Sequence, residues 1–170
     1  MYNIEYNEYY VINGDDKLDG VTKIDKIPEE YISKFGEAKT LFIGKALGSE
    51  KLYIVIDYLQ PGDKSAKFHS HSMQEEFFMI LSGTGTLRVN DENIEISPGF
   101  VFSKPAGKGI AHQFINTGTE VLEILDVGTI EKDDVATYPD EKVVYIRKDD
   151  LVFSTDDDLM SKGWTSNPNI

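Results

Sequence analysis

The chain contains no cysteine, which excludes disulfides, thiolate nucleophiles, iron–sulfur clusters and cysteine-ligated zinc. Any metal it binds is held by nitrogen and oxygen. Imidazole is scarce too. His69, His71 and His112 are the only three histidines in 170 residues, so where they fall is informative. Long apolar runs are missing: the longest, Phe77 to Leu81, has five residues against the ~20 that a membrane-spanning helix needs. Positive charge is in deficit, 17 basic against 30 acidic residues, for a net charge of -13. Such a surface repels nucleic-acid phosphates and anionic lipid headgroups, so no nucleic acid and no membrane is expected as a partner. The opening residues, MYNIEYNEYY, carry no basic cluster and do not read as a secretory signal, which makes the cytoplasm the expected location.

What is present is the composition of a folded globular chain, 40% hydrophobic and 28% charged, at a length that suits one domain. Three stretches differ in texture. Residues 1–40 read as an N-terminal extension of tyrosine-rich extended segments, followed by a short helix. In that helix Pro28 takes the first turn, Glu29, Glu30, Tyr31, Ile32 and Phe35 continue, and Gly36 ends it. Residues 41–127 alternate short β-rich runs with turn chemistry: Ser97-Pro98-Gly99-Phe100 suits a type II turn, while Asn90-Asp91-Glu92-Asn93 and Asn116-Thr117-Gly118-Thr119 suit hairpin loops. Many short strands at near-regular spacing predict an all-β barrel or sandwich. Leu52 to Leu59 is apolar on both parities, the mark of a strand covered on both faces, by a second sheet or by a partner chain. Residues 128–170 offer one further strand, KVVYI, and a polar tail with Asp156-Asp157-Asp158 and the lone Trp164. The N-terminal tyrosines and Trp164 read as packing or dimer contacts, and a homodimer is expected.

His69 and His71 lie two apart in a stretch that reads as strand, so both imidazoles project from one face. Glu76 opens the next apolar run, and His112 opens another about forty residues on, where a barrel can bring it opposite. Three imidazoles and a carboxylate suit one divalent transition metal, Mn, Fe, Ni, Co or Zn, with two octahedral positions left for water or substrate. Glu75 offers a competing carboxylate but is read as facing outward. By parity Phe78 and Ile80 share the face of Glu76, Phe114 and Asn116 that of His112, and Lys67 that of the other two histidines. Lys67, Phe78 and Phe114 are therefore the candidate substrate contacts, against barrel filling for the two aromatics. For Lys67 the alternative is a bulge that returns it to solvent. Between Gly62 and Asn116 five basic residues nearly balance six acidic ones, and Lys67, Lys104 and Lys108 lie close to the histidines, a less negative mouth for an anionic substrate.

Gly62, His69-x-His71, Glu76 and Gly83, followed by Gly99, Pro105-x-Gly107, His112 and Asn116, resemble the two signature motifs of the cupin superfamily. Gly62 to His69 is one residue longer than the family pattern and Gly107 to His112 two longer, which reshapes the loop Lys108-Gly109-Ile110-Ala111. The run DVGTIEKDDVATYPD is similar to small bacterial cupins often labelled sugar-phosphate isomerases. The resemblance implies a double-stranded β-helix, a flattened antiparallel barrel of two sheets, with a metal inside on His69, His71, Glu76 and His112, usually as a homodimer. It implies no single activity. A metal-dependent isomerase, decarboxylase or dioxygenase for a small anionic or hydroxylated molecule is one reading; a non-catalytic sugar- or carboxylate-binding protein is the other. No second buried acid or base stands out, Glu75 and Tyr53 being the only candidates.

Overall fold

The computed structural model describes residues 20–155 and 166–169. The N-terminal tyrosine segment, Asp156 to Asp158 and Trp164 lie outside the described residues. Among those described, two 3-10 turns, Ile24–Lys26 and Glu29–Tyr31, precede strands β1 (Ile32–Phe35) and β2 (Ala38–Leu41) and a four-residue helix α1 (Ile43–Ala46). Then follow β3 (Leu52–Leu59), β4 (Ser70–His71), β5 (Glu76–Ser82), β6 (Gly85–Val89), β7 (Glu92–Ile96), β8 (Val101–Lys104) and β9 (His112–Ile115). The last strands are β10 (Leu122–Thr129), β11 (Val135–Tyr138), β12 (Val143–Ile146) and β13 (Leu151–Ser154). None of the described helices is long and apolar enough to cross a membrane.

The pairing is antiparallel and falls into three sheets, ordered β1-β2-β3-β10-β5-β8, β7-β6-β9 and β13-β12-β11-β4. Residues opposite one another in a ladder share a face, so the registers define the interior. Tyr53, Val55, Asp57 and Leu59 of β3 turn inward with Gly128, Asp126, Ile124 and Leu122 of β10, and with Glu76, Phe78 and Ile80 of β5. Leu59, Phe78, Ile80, Leu122 and Ile124 of the six-stranded sheet pack onto Leu87, Ile96 and Phe114 of the three-stranded sheet, the core of the all-β flattened barrel that the strand spacing predicts. The expected turn at Ser97 is present: Phe100 N–H donates to the Ser97 carbonyl over 3.0 Å, and Gly99 takes φ +86°.

The outer face of β3 is covered as its two-sided pattern requires, and the cover is the chain itself. Ile27, Tyr31, Leu41 and Ala46 pack on Ile56, with Ile32, Phe42, Ile43, Tyr58 and Leu125 around them. Gly44 brings α1 so close to β3 that an added Cβ would sit 2.9 Å from the Ile54 nitrogen.

Two expectations are corrected. The helix from Pro28 to Gly36 shrinks to the 3-10 turn Glu29–Tyr31, and Ile32–Phe35 is strand. Phe35 lies opposite Ala38 across the two-residue turn Gly36-Glu37, with Gly36 at φ +59°, so Gly36 closes a hairpin rather than ending a helix. The β2 ladder outweighs the weak helical tendency of a β-branched start. The C-terminal stretch holds three strands rather than one: the KVVYI run is β12, flanked by β11 and β13, and Ala136 of β11 pairs with His71.

Candidate metal centre

His69 precedes β4, and its backbone exchanges hydrogen bonds of 3.2 and 2.9 Å with that of His112. His71 lies on β4 and Glu76 starts β5, so a short loop folds back and brings the three ligand-type side chains together. Donor atoms of His69, His71 and Glu76 all lie within 4.8 Å of one another, and the three residues are buried. His69 Nδ1 is 2.7 Å from the Lys67 carbonyl, and His71 Nδ1 is 2.6 Å from Asp134 Oδ2. Each neighbour can only accept, so each ring donates from Nδ1, and a neutral ring so held has its lone pair on Nε2. Burial first, then the neighbouring positive groups, hold His69 well below the usual imidazole range, which keeps that lone pair free at neutral pH. Two imidazole nitrogens and a carboxylate oxygen so oriented fit a divalent first-row ion.

Each ligand-type group has a supporting partner. Asp134, fully buried, accepts at Oδ1 from the backbone N–H groups of Met73 and Gln74, at 2.8 and 3.2 Å, and from the Ser72 hydroxyl at 3.2 Å. Burial works against its ionisation, but the hydrogen bonds from His71 and Met73 and the Arg147 charge prevail and hold it well below the carboxylate range. Glu76 Oε1 accepts from the Tyr53 hydroxyl at 2.7 Å and from Gln74 Nε2 at 2.9 Å. Glu76 Oε2 faces the ammonium of Lys104, which stands opposite it in the β5–β8 ladder. Desolvation pushes the Glu76 carboxyl up, yet His71 and Lys104 bring it well below its ordinary value.

His112 stands beside this trio without being part of it. Its ring centroid is 4.9 Å from that of His69 and 4.8 Å from that of Phe78, and its Nδ1 lies 2.9 Å from Lys104 Nζ. Burial is the main reason its pKa falls to about 3.

The trio and His112 open on a cavity of about 450 Å³ that is also lined by Tyr53, Asp57 and Asp126 of β3 and β10, in the same sheet as Glu76. Asp126 is hydrogen-bonded to Tyr53, while its Oδ1 is buried without a hydrogen-bond partner. Burial, with the charges of Glu76 and Asp57 added, raises its pKa well above the usual range. Asp57 accepts from the Thr40 hydroxyl at 2.5 Å, and desolvation raises it to about 6.

Residues 55–128, which span this barrel from β3 to β10, match the family of cupin domains. Over these residues the chain is similar to a cupin domain. Among solved structures the chain is similar to a candidate sugar phosphate isomerase from Acidithiobacillus ferrooxidans, at 28% identity over 74% of this chain and 81% of that one, with a TM-score of 0.68. It is also similar to a cupin-superfamily sugar phosphate isomerase from Silicibacter pomeroyi, at 26% identity over 74% and 76%, TM-score 0.63. A protein described as a predicted oxalate decarboxylase from Thermotoga maritima shares the fold at 23% identity, over 65% of this chain and 99% of that one, TM-score 0.55. No curated protein matches the sequence.

Around this cavity the expected substrate contacts separate. Phe78 and Phe114 line the cavity as members of the core. Lys67 does not line it; its ammonium lies 4.0 Å from Glu141. Asn116 is buried and structural, donating to the Leu59 and Glu120 carbonyls, and Glu75 is exposed as expected. Lys104, read as a mouth-lining loop lysine, is instead inside the barrel at 2% exposure. Asp57, Asp126 and Asp134 were missed as site residues. Asp126 had a signal: it alternates with Leu122, Ile124 and Gly128, so it occupies an inward position in an apolar strand.

Proposed function

We propose that this cupin holds one divalent metal on His69, His71 and Glu76, and that it is an enzyme for a small, oxygen-rich substrate, with isomerisation of a sugar phosphate as the leading reaction. A bound ion supplies Lewis-acid polarisation of substrate oxygens. The observation that carries the enzymatic reading is the pair of carboxyl groups, Asp57 and Asp126, that line the same cavity as the trio on the strands next to Glu76. Burial raises both above the usual carboxylate range, which suits groups that exchange protons with a substrate. Asp126, whose protonated form burial favours, is the candidate proton donor; Asp57, ionised above about pH 6, is the candidate acceptor. Tyr53 donates to Glu76 and is hydrogen-bonded to Asp126, so it connects the pair to the trio. Lys45 and Arg147 also line the cavity and suit an anionic group, the role first expected of Lys67. The two sugar phosphate isomerases among the similar structures support the same leaning. A homodimer accompanies this reading, supported by the exposed apolar side chains Phe77, Leu81 and Val101.

The test is an NMR screen of the metal-loaded protein against aldose and ketose phosphates and small dicarboxylates, run in D2O so that deuterium enters the product at carbon. Turnover is expected to fall by about 10²- to 10⁴-fold in Asp126→Asn and in Asp57→Asn, with metal content unchanged. Saturable binding across the panel with no product would favour the second reading, a metal-dependent binding protein.

A further inference from the structure

Gln74 is a buried amide on the cavity wall, at 3% exposure, and neither the metal reading nor the carboxyl pair uses it. Its backbone is pinned. In the loop between β4 and β5 the Gln74 N–H donates to Asp134 Oδ1 over 3.2 Å, and the N–H of Arg147, the first residue after β12, donates to the Asp134 carbonyl over 3.1 Å. Both residues are thus held against one buried aspartate. Their side chains then meet: Arg147 Nη1 donates to Gln74 Oε1 over 2.8 Å and to the Glu131 carbonyl over 3.2 Å.

A guanidinium has five N–H donors and no acceptor, so the end of the amide that faces it must be the oxygen. The other end, Nε2, is thereby turned to the trio, and this does not depend on the charge of any ligand-type group. Nε2 lies 2.9 Å from Glu76 Oε1, 3.3 Å from His71 Nε2 and 3.5 Å from the Tyr53 hydroxyl. An amide nitrogen carries two hydrogens. One meets Glu76 at a normal distance, while the other has only the two longer contacts, both beyond the usual range.

We propose that Gln74 selects the substrate: its second amide hydrogen donates to an oxygen of the molecule in the cavity, and Arg147 is the positioning residue that keeps the donor end turned that way. The inference deepens the reading proposed above and rests on it. The chemistry selected is a ligand with two neighbouring oxygens, one for the ion on the trio and one, of a carboxylate, carbonyl or hydroxyl group, for the amide. A buried donor left without a good acceptor costs free energy, so an apolar group or an ammonium at that place is rejected, whereas a carboxylate there accepts a strong, charge-assisted bond. Arg147 also lines the cavity, and its charge by itself attracts an anion. Positioning through Gln74 is a separate effect, and a double-mutant cycle separates the two.

The test uses the full chain with oxalate as the probe, metal-free and saturated with Zn2+, reading oxalate affinity by calorimetry and the Gln74 side-chain amide by nitrogen-resolved NMR. In the Zn2+-loaded protein oxalate is expected to shift one of the two Gln74 amide protons, and in the metal-free protein neither. Gln74→Leu is expected to bind oxalate about 10- to 100-fold more weakly, the scale of a hydrogen bond to a charged group. Arg147→Met is expected to weaken oxalate binding when Gln74 is present and to matter less in a chain that already carries Gln74→Leu. Arg147→Lys, which still offers Oε1 a donor, is expected to recover part of the loss. The proposal is overturned by a Gln74 signal that ignores oxalate, by a Gln74→Leu affinity within about twofold of wild type, or by losses that simply add. The wild-type spectrum decides even if a variant fails to fold. Chelator competition for Zn2+ keeps the two readings apart: a wild type that binds no Zn2+ sinks the metal reading and this inference with it, whereas Zn2+ binding together with any of those outcomes sinks the inference alone.

Discussion

Asp57 gives the barrel a stability that depends on pH in a direction opposite to that of most carboxylates. Its folded value of about 6 lies above its ordinary 3.8, chiefly through desolvation, so between those values the unfolded chain releases a proton that the folded chain retains. Stability is therefore lost as pH rises from about 4 to 6, by an amount on the order of 3 kcal/mol once the shift is complete. Asp57→Asn removes that loss. The melting temperature of the variant relative to wild type is expected to climb between pH 4 and pH 7 and then level off; a difference that does not vary with pH would refute the desolvated-carboxyl account. Asp134 works the other way. Its depressed carboxyl contributes stability that is present above the ordinary value of 3.8 and is lost on acidification. Asp134→Asn leaves His71 without a fixed acceptor at Nδ1, and Zn2+ affinity is expected to fall by about 10- to 100-fold in chelator competition. Unchanged affinity would mean that the ring is held by packing alone.

At the scale of elements, the site depends on strands whose inward positions include one residue with no side chain. Gly128 of β10 lies between Tyr53 of β3 and Glu76 of β5, and an added Cβ would sit 2.4 Å from the tyrosine ring. Gly128→Ala is expected to cost about 1–3 kcal/mol in denaturant unfolding, as overpacking does, and to displace the tyrosine hydroxyl from Glu76. A fully stable variant would show that the ring has room to turn aside. This inward set was legible in the sequence wherever alternation ran long enough to fix parity, as it does from Glu76 to Ile80. The same rule placed Phe78 and Phe114 correctly. It failed at Lys104, because a lysine closing the run Val101 to Lys104 and preceding Pro105 reads as the solvated end of a strand, and only the register against Glu76 shows otherwise. Lys67 was left between barrel and solvent for the complementary reason: it lies before β4, where no ladder enforces alternation. Of the three C-terminal strands only the KVVYI run was legible, and its four-residue neighbours β11 and β13 were not. The turn between β11 and β12 puts Lys142 at φ +56°, a conformation that lysine does not advertise.

For the whole molecule, α1 and the Ile27–Tyr31 region use up the outer face of β3, so that face no longer argues for a partner chain. Among the described residues an apolar patch is exposed on the outside of β5 and β8, where Phe77, Leu81 and Val101 are exposed at 42%, 37% and 56% beside the sheet edge. Light scattering is expected to give twice the 19.2 kDa chain mass, and Phe77→Lys with Val101→Glu to give the single chain. A wild-type monomer at micromolar concentration would end the homodimer expectation. The ladder between β4 and β11 has another consequence. His71 pairs through its backbone with Ala136 and through its ring with Asp134, so an ion seized by His71 also fastens the stretch that carries β11, β12 and β13. By mass action an ion at a hundred times its dissociation constant adds about 2.7 kcal/mol to whatever must open to release it. Residues 134–154 are expected to exchange their amide hydrogens faster when a chelator is added, and equal rates would separate the two. The stretch from β11 to β13 would then report occupancy, and could be read without a substrate.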